Sequence, residues 1–164
     1  MSSAEKRFQS FIRKLDNSDY VYDVLRMGPS PIVSVVFGAK PRSGHSKVFE
    51  HVGKKQLPQL YVYAIFSKDG EEVHFQTSPL VRVPQNQRSQ ALSVCNAANN
   101  QQRWIKFNLN SSDYIVGHYD LLLQGHGASD VCVTIAQRVA DVVDETLPLL
   151  QSCLEQDASE EEVA

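Results

Sequence analysis

Apolar residues first recur in this chain with the spacing of a helix. Phe8, Phe11, Ile12 and Leu15 follow the i, i+3, i+4, i+7 rule and predict a helix over Ala4–Leu15. Ser2 or Ser3 is placed to cap it, since a hydroxyl accepts from the unpaired N–H groups of a first turn. Asp16-Asn17-Ser18 ends the pattern, because such side chains compete for backbone hydrogen bonds. Tyr20–Met27 fits two periods. Tyr20, Val21, Val24 and Leu25 suit a second helical piece, and Tyr20-Val21-Tyr22 suits a strand; the helical spacing is the reading adopted. Gly28-Pro29-Ser30-Pro31 stops that segment. The β-branched run Ile32–Phe37 then predicts a strand. Leu60–Phe66 and Glu71–Val83 flank Lys68-Asp69-Gly70, a strong hairpin signal. Val73, Phe75 and Thr77 alternate there with His74 and Gln76, and Pro79 predicts a break, bulge or edge position.

The rest of the chain is organised around Leu92–Leu154. Helical spacing over Asn86–Ala98 puts Ala91, Leu92, Cys95 and Ala98 on one side, with Asn99-Asn100 as terminator. A hairpin over Arg103–Gln124 follows. Ile105, Phe107 and Leu109 share a face with Ile115, Gly117, Tyr119, Leu121 and Leu123 if Leu109 lies opposite Ile115, which leaves Asn110–Tyr114 to turn. A slip of one residue would bury Lys106 and Asp120, so this register is well specified. Trp104, Lys106 and Asn108 then lie on the reverse face, opposite Asp120, His118 and Val116. Ser129 or Asp130 is placed to cap a last helix whose stripe runs from Cys132 to Cys153, with a kink or break expected near Thr146 because Pro148 lacks a donor.

These elements predict an α+β fold of order α-β-β-β-α-β-β-α: an antiparallel five-stranded sheet with helices packed on one face. Residues 1–154 make one domain, and 155–164 an acidic disordered tail. Charge sharpens that boundary. The net charge is −3, but Glu155, Asp157, Glu160, Glu161 and Glu162 fall in the last ten residues, and without them 16 basic groups face 14 acidic ones. So weakly basic a body argues against nucleic-acid binding. Cys95, Cys132 and Cys153 are far apart and lie on apolar stripes, which predicts buried free thiols. The N-terminus lacks a signal-peptide core and no apolar run approaches the ~20 residues of a membrane span. A cytoplasmic protein is expected.

Asn96 and Asn100, the strand Trp104-Ile105-Lys106-Phe107, the run Tyr119-Asp120-Leu121-Leu122-Leu123, and Asp141-Val142-Val143-Asp144-Glu145 with Pro148 together resemble the YbjN-like family. Its members are bacterial proteins labelled sensory transduction regulators, which share the fold of type III secretion chaperones. The resemblance covers roughly residues 85–150; residues 1–84 match it only in the order of elements, and Gly38–Gln56 has no counterpart in it. It implies a binding or regulatory module and a homodimer, and brings no catalytic residues, cofactor or ligand.

Candidate chemistry is sparse. Gly38–Gln56 carries Lys40, Arg42, Lys47, Lys54 and Lys55 against Glu50 alone. Gly38 to Ser46 superficially resembles a phosphate-binding loop, but five residues separate Gly38 from Gly44, His45 stands at the lysine position, and Pro41 removes a backbone donor. A solvated loop is the plain reading, and a site for anions or an acidic partner the sharper one. The five histidines form no H-x-H or H-E-x-x-H pattern, so no metal site is expected. His118 is a candidate titrating group, with Lys106 opposing and Asp120 favouring its imidazolium. No nucleophile motif occurs, and Glu71-Glu72, Asp141 and Asp144-Glu145 read as surface charges.

The residues left over form a face: Trp104, Lys106, Tyr114, Val116, His118, Asp120 and Leu122. A half-apolar sheet face bearing a tryptophan suits a protein contact, unless an N-terminal element covers it as core. The expected function is therefore a non-catalytic protein-binding module, chaperone-like or regulatory, acting as a homodimer without cofactor, nucleic acid or membrane. The alternative is a small-ligand or phosphate sensor using the basic loop of residues 38–56.

Overall fold

The computed structural model describes residues 1–38, 59–124 and 128–154. The predicted basic loop, apart from Gly38, lies outside these residues, as does the acidic tail. Helix α1 (Ser3–Asp16) starts from a reciprocal cap: Ser2 Oγ accepts from Glu5 N–H at 3.2 Å, and Glu5 Oε2 accepts from Ser2 N–H at 2.7 Å. Seven strands follow in one antiparallel sheet, together with helices α2 (Arg88–Gln101) and α3 (Ala128–Gln151). The strands are β1 (Val21–Arg26), β2 (Ile32–Phe37), β3 (Leu60–Phe66), β4 (Glu72–Thr77), β5 (Val81–Arg82), β6 (Lys106–Leu109) and β7 (Tyr114–Leu122).

Strand β7 holds the second half of the sheet. His118 pairs with Gln76 of β4 and with Lys106 of β6, so these two strands flank β7 on opposite edges. Ile115 likewise pairs with Val81 of β5 and Leu109 of β6. The hairpin register is the expected one, Leu109 opposite Ile115 and Phe107 opposite Gly117. Its turn closes on Asn110, whose Oδ1 accepts from Ser112 N–H and Tyr114 N–H at 3.0 Å each.

The sheet has seven strands rather than the expected five, for two local reasons. Tyr20–Met27 is not helical: Val21, Tyr22, Asp23 and Val24 pair with Val36, Val35, Ser34 and Val33 of β2. Tyr and Val suit a pleated surface, and Tyr20 is held by packing on Phe37 (ring centroids 5.9 Å apart) and donating to Gln137 Oε1 at 2.7 Å. The second strand arises at Pro79, where the arm breaks as its missing N–H requires and resumes as β5. Across the break, buried Thr77 Oγ1 accepts from Gly117 N–H at 2.9 Å in place of a backbone carbonyl.

The three described α-helices lie against one face. Val33, Val35, Phe37, Leu60, Val62, Ala64, Phe66, Val73, Phe75 and Phe107 point into this core and are at most 6% exposed. Phe8 of α1 meets Phe66 edge-on at 5.5 Å, and Phe11 lies 5.9 Å from the same ring. The start of α1 rests on the β3–β4 turn. Gly70 has φ of +72°, and a Cβ there would come within 2.6 Å of the Ala4 backbone, so glycine is required for backbone shape and for space. Arg7 Nη1 donates to Gly70 O and, at 2.8 Å, to Leu123 O, tying α1 to the turn and to the end of β7.

Two helix boundaries differ from expectation. Helix α2 does not stop at Asn99-Asn100 but runs to Gln101, because the Asn99 side chain bonds to β6 instead of its own backbone. Helix α3 continues through Pro148 to Gln151, with Leu147 and Leu150 in the core on either side of the proline. Ser129 and Asp130 fall inside its first turn; Asp130 pairs there with Lys14 of α1 at 2.6 Å. That exposed pair contributes at most about 1 kcal/mol.

Candidate functional site

Among the described residues no helix lies on the second face of the sheet. Register puts Asp23, Ser34, Tyr63, Gln76, His118 and Lys106 side by side, one from each of β1, β2, β3, β4, β7 and β6. Each is polar, so an unbroken polar row crosses the sheet. A parallel row runs Arg26, Ile32, Ile65, His74 and Asp120. Its middle is apolar and its ends are charged. On β3 the rings of Tyr61 and Tyr63 stack at 6.5 Å with 11° between planes.

Where the rows meet β4 and β7, three titratable side chains converge. His74 Nδ1 lies 2.5 Å from Asp120 Oδ1. The carboxylate can only accept, so Nδ1 carries the proton. The rings of His74 and His118 are 5.9 Å apart, edge to face. Burial holds the His118 pKa below its ordinary value; the nearby charge of His74 lowers it further, and Asp120 pulls the other way. Lys106 is not among the groups that act on His118. Its Nζ turns to the end of α2, donating to Asn99 O at 3.1 Å and Gln102 O at 2.9 Å. It serves there as a cation on the terminal carbonyls of a helix.

The expected face residues are therefore distributed unevenly. Lys106, Val116, His118, Asp120 and Leu122 share the helix-free side, but Val116 is buried and Lys106 is engaged by α2. Tyr114 stands at the far end of β7 opposite Arg82. Trp104 precedes β6 and takes no part in the ladder; it is 64% exposed, as is Leu122. Sequence reasoning missed His74. Its alternation with Val73 and Phe75 already put it on the polar side of its strand, but the pairing of β4 with β7 joins strands 40 or more residues apart, which no turn dictates. Lys40, Arg42, Lys47, Lys54 and Lys55, with His45, His51 and His126, lie outside the described residues.

Chemistry beyond this face is quiet. The three cysteines are buried free thiols, as expected. Burial pushes Cys95 up to about 11, with a smaller contribution from Cys153, and Cys132 up to about 12. Both are protonated and poor nucleophiles at neutral pH. Among the described residues no group of three or more His, Cys, Asp or Glu is arranged to hold a metal. No helix among them is long and apolar enough to cross a membrane.

Fold and face together define a small α+β protein whose described helices cover one face of the sheet. The chain belongs to the YbjN family, described as "Putative bacterial sensory transduction regulator", whose pattern matches residues 57–147. That match spans β3 to the second-last turn of α3 and includes His74, His118 and Asp120. Nothing among curated proteins or solved structures matches the chain.

Proposed function

We propose that this protein is a non-catalytic, cytoplasmic regulator that works as a homodimer and binds a polypeptide, as a chaperone does, on the open face of its sheet. The observation that carries this reading is that face, without a helix among the described residues, with Leu122 exposed beside a polar row and Trp104 exposed just before β6. Large exposed apolar side chains rimmed by polar ones favour protein contact over solvent. His118, Asp120 and Tyr114 supply the polar complement, Lys106 borders it, and Val116 lies beneath. Three buried free thiols fit a reducing compartment. The regulator description of the family supports a binding role over a catalytic one.

Affinity capture from the native host tests the reading, using the tagged full chain, Trp104→Asp and Leu122→Asp. A polypeptide recovered with the wild-type chain and lost with both variants is the expected result. Recovery that is equal for all three, or absent for the wild type, overturns it.

A further inference from the structure

The two edges of the sheet are finished differently. At β6, Asn99 of α2 acts as a substitute strand: its Nδ2 donates to Phe107 O at 2.9 Å, and its Oδ1 accepts from Phe107 N–H at 2.7 Å. Both polar groups of that backbone position are used, which caps this edge at Phe107. Strand β1 forms the other edge, pairing with β2 on one side only. No described helix lies along it. Val24 is 41% exposed, and Leu25 and Met27 are each 55% exposed, so three of the nine large apolar side chains exposed among the described residues cluster at this edge. Sheet edges are often blunted by lysine, proline, other charges, a bulge or a covering element. Val21–Met27 has no lysine or proline, and its charges are one acid and one base, Asp23 and Arg26.

A bulge at Leu25 changes what this edge presents. Asp23 pairs with Ser34 and Arg26 with Ile32, and Ser34 and Ile32 lie on the same face of β2. Asp23 and Arg26 therefore share a face, although an odd separation would put them on opposite faces of a regular strand. Arg26 Nε donates to Ser30 O at 2.8 Å, which holds the guanidinium beside the strand. Asp23 has no ion-pair partner among the described residues.

We propose that β1 pairs antiparallel with β1 of a second copy of this chain, with Asp23 opposite Arg26 of the other copy. The twofold axis falls between Val24 and Leu25, so the ion pair forms twice, as an isologous contact requires. Val24 then lies opposite Leu25, and Tyr22 opposite Met27. The two sheets become one, and the polar row of each copy runs into the Arg26 row of the other. This inference rests on the homodimer reading above and adds where the copies meet.

Sedimentation and light scattering of the full chain across a concentration series test it, with Asp23→Arg, Arg26→Asp and the double swap. The wild type is expected to dimerise, each single swap to weaken the dimer roughly tenfold by placing like charges opposite one another, and the double swap to restore it. Amide exchange on the unmodified chain gives a second readout, with protection over residues 21–27 rising with concentration. A wild-type chain that stays monomeric overturns both this interface and the homodimer reading. A dimer indifferent to the single swaps and without that protection keeps the homodimer and overturns the edge, leaving β1 to some other strand.

Discussion

The covered and open faces of this sheet are built from the same strands, residue by residue in alternation, yet they are stabilised by different physics. On the covered side Phe66, Phe75 and Phe107 interlock with Phe8, Phe11 and the α3 stripe, and side-chain volume decides what fits. On the open side polar neighbours meet by charge and hydrogen bonding, as in His74 with Asp120, beside apolar pairs such as Ile32 with Ile65. An exposed side chain such as Leu122 can be changed there without opening a cavity. One period-two sequence thus encodes a packing surface and a chemical surface. The lesson concerns tolerance: the face that specifies the fold resists substitution, and the face left for function accepts it.

The most severe test of that contrast is a matched truncation. Phe66→Ala on the covered face is expected to cost about 3–5 kcal/mol in denaturant unfolding, and Leu122→Ala on the open face to stay within about 0.5 kcal/mol. Similar losses for the two would dissolve the distinction. Asn99→Ala probes the border between the faces. Removing both of its bonds to Phe107 is expected to cost about 1–3 kcal/mol and to raise amide exchange at Phe107 ahead of its strand neighbours.

The smallest effect is electrostatic. The folded state holds the His118 pKa below its ordinary 6.5, so below about pH 6.5 the unfolded chain binds the extra proton first. Stability is therefore expected to fall as pH drops from about 6.5 through the folded pKa, and to level off below it. His118→Gln should flatten that part of the melting-temperature profile. An unchanged slope would show that His118 is not its source.

Much of the covered face was legible in the sequence because burial leaves a periodic trace. The spacing of Phe8, Phe11 and Leu15 predicted α1 to within a residue at either end. The need to keep Lys106 and Asp120 out of the core set the register of β6 against β7. Failures came where a residue's partner is remote. Tyr20–Met27 satisfies helix and strand periods equally, and only pairing with β2 decides between them. Asn99 reads as a helix terminator until its side chain is seen on Phe107. The open face was legible residue by residue along β6 and β7, but His74 reaches it through a pairing between distant strands.

The Arg7 clamp bears on the order in which the molecule can be assembled. One guanidinium near the start of the chain holds a carbonyl 63 residues on and another 116 residues on. During synthesis the strands β1 to β4 can pair as each emerges, since their contacts are between neighbours. Helix α1 has no such option. Its second anchor does not exist until Leu123 has left the ribosome, and its apolar stripe must wait exposed, or loosely held, while most of the chain is made. The first element in the sequence is thus among the last to be locked, and α1 becomes the stretch most in need of protection in the newborn chain.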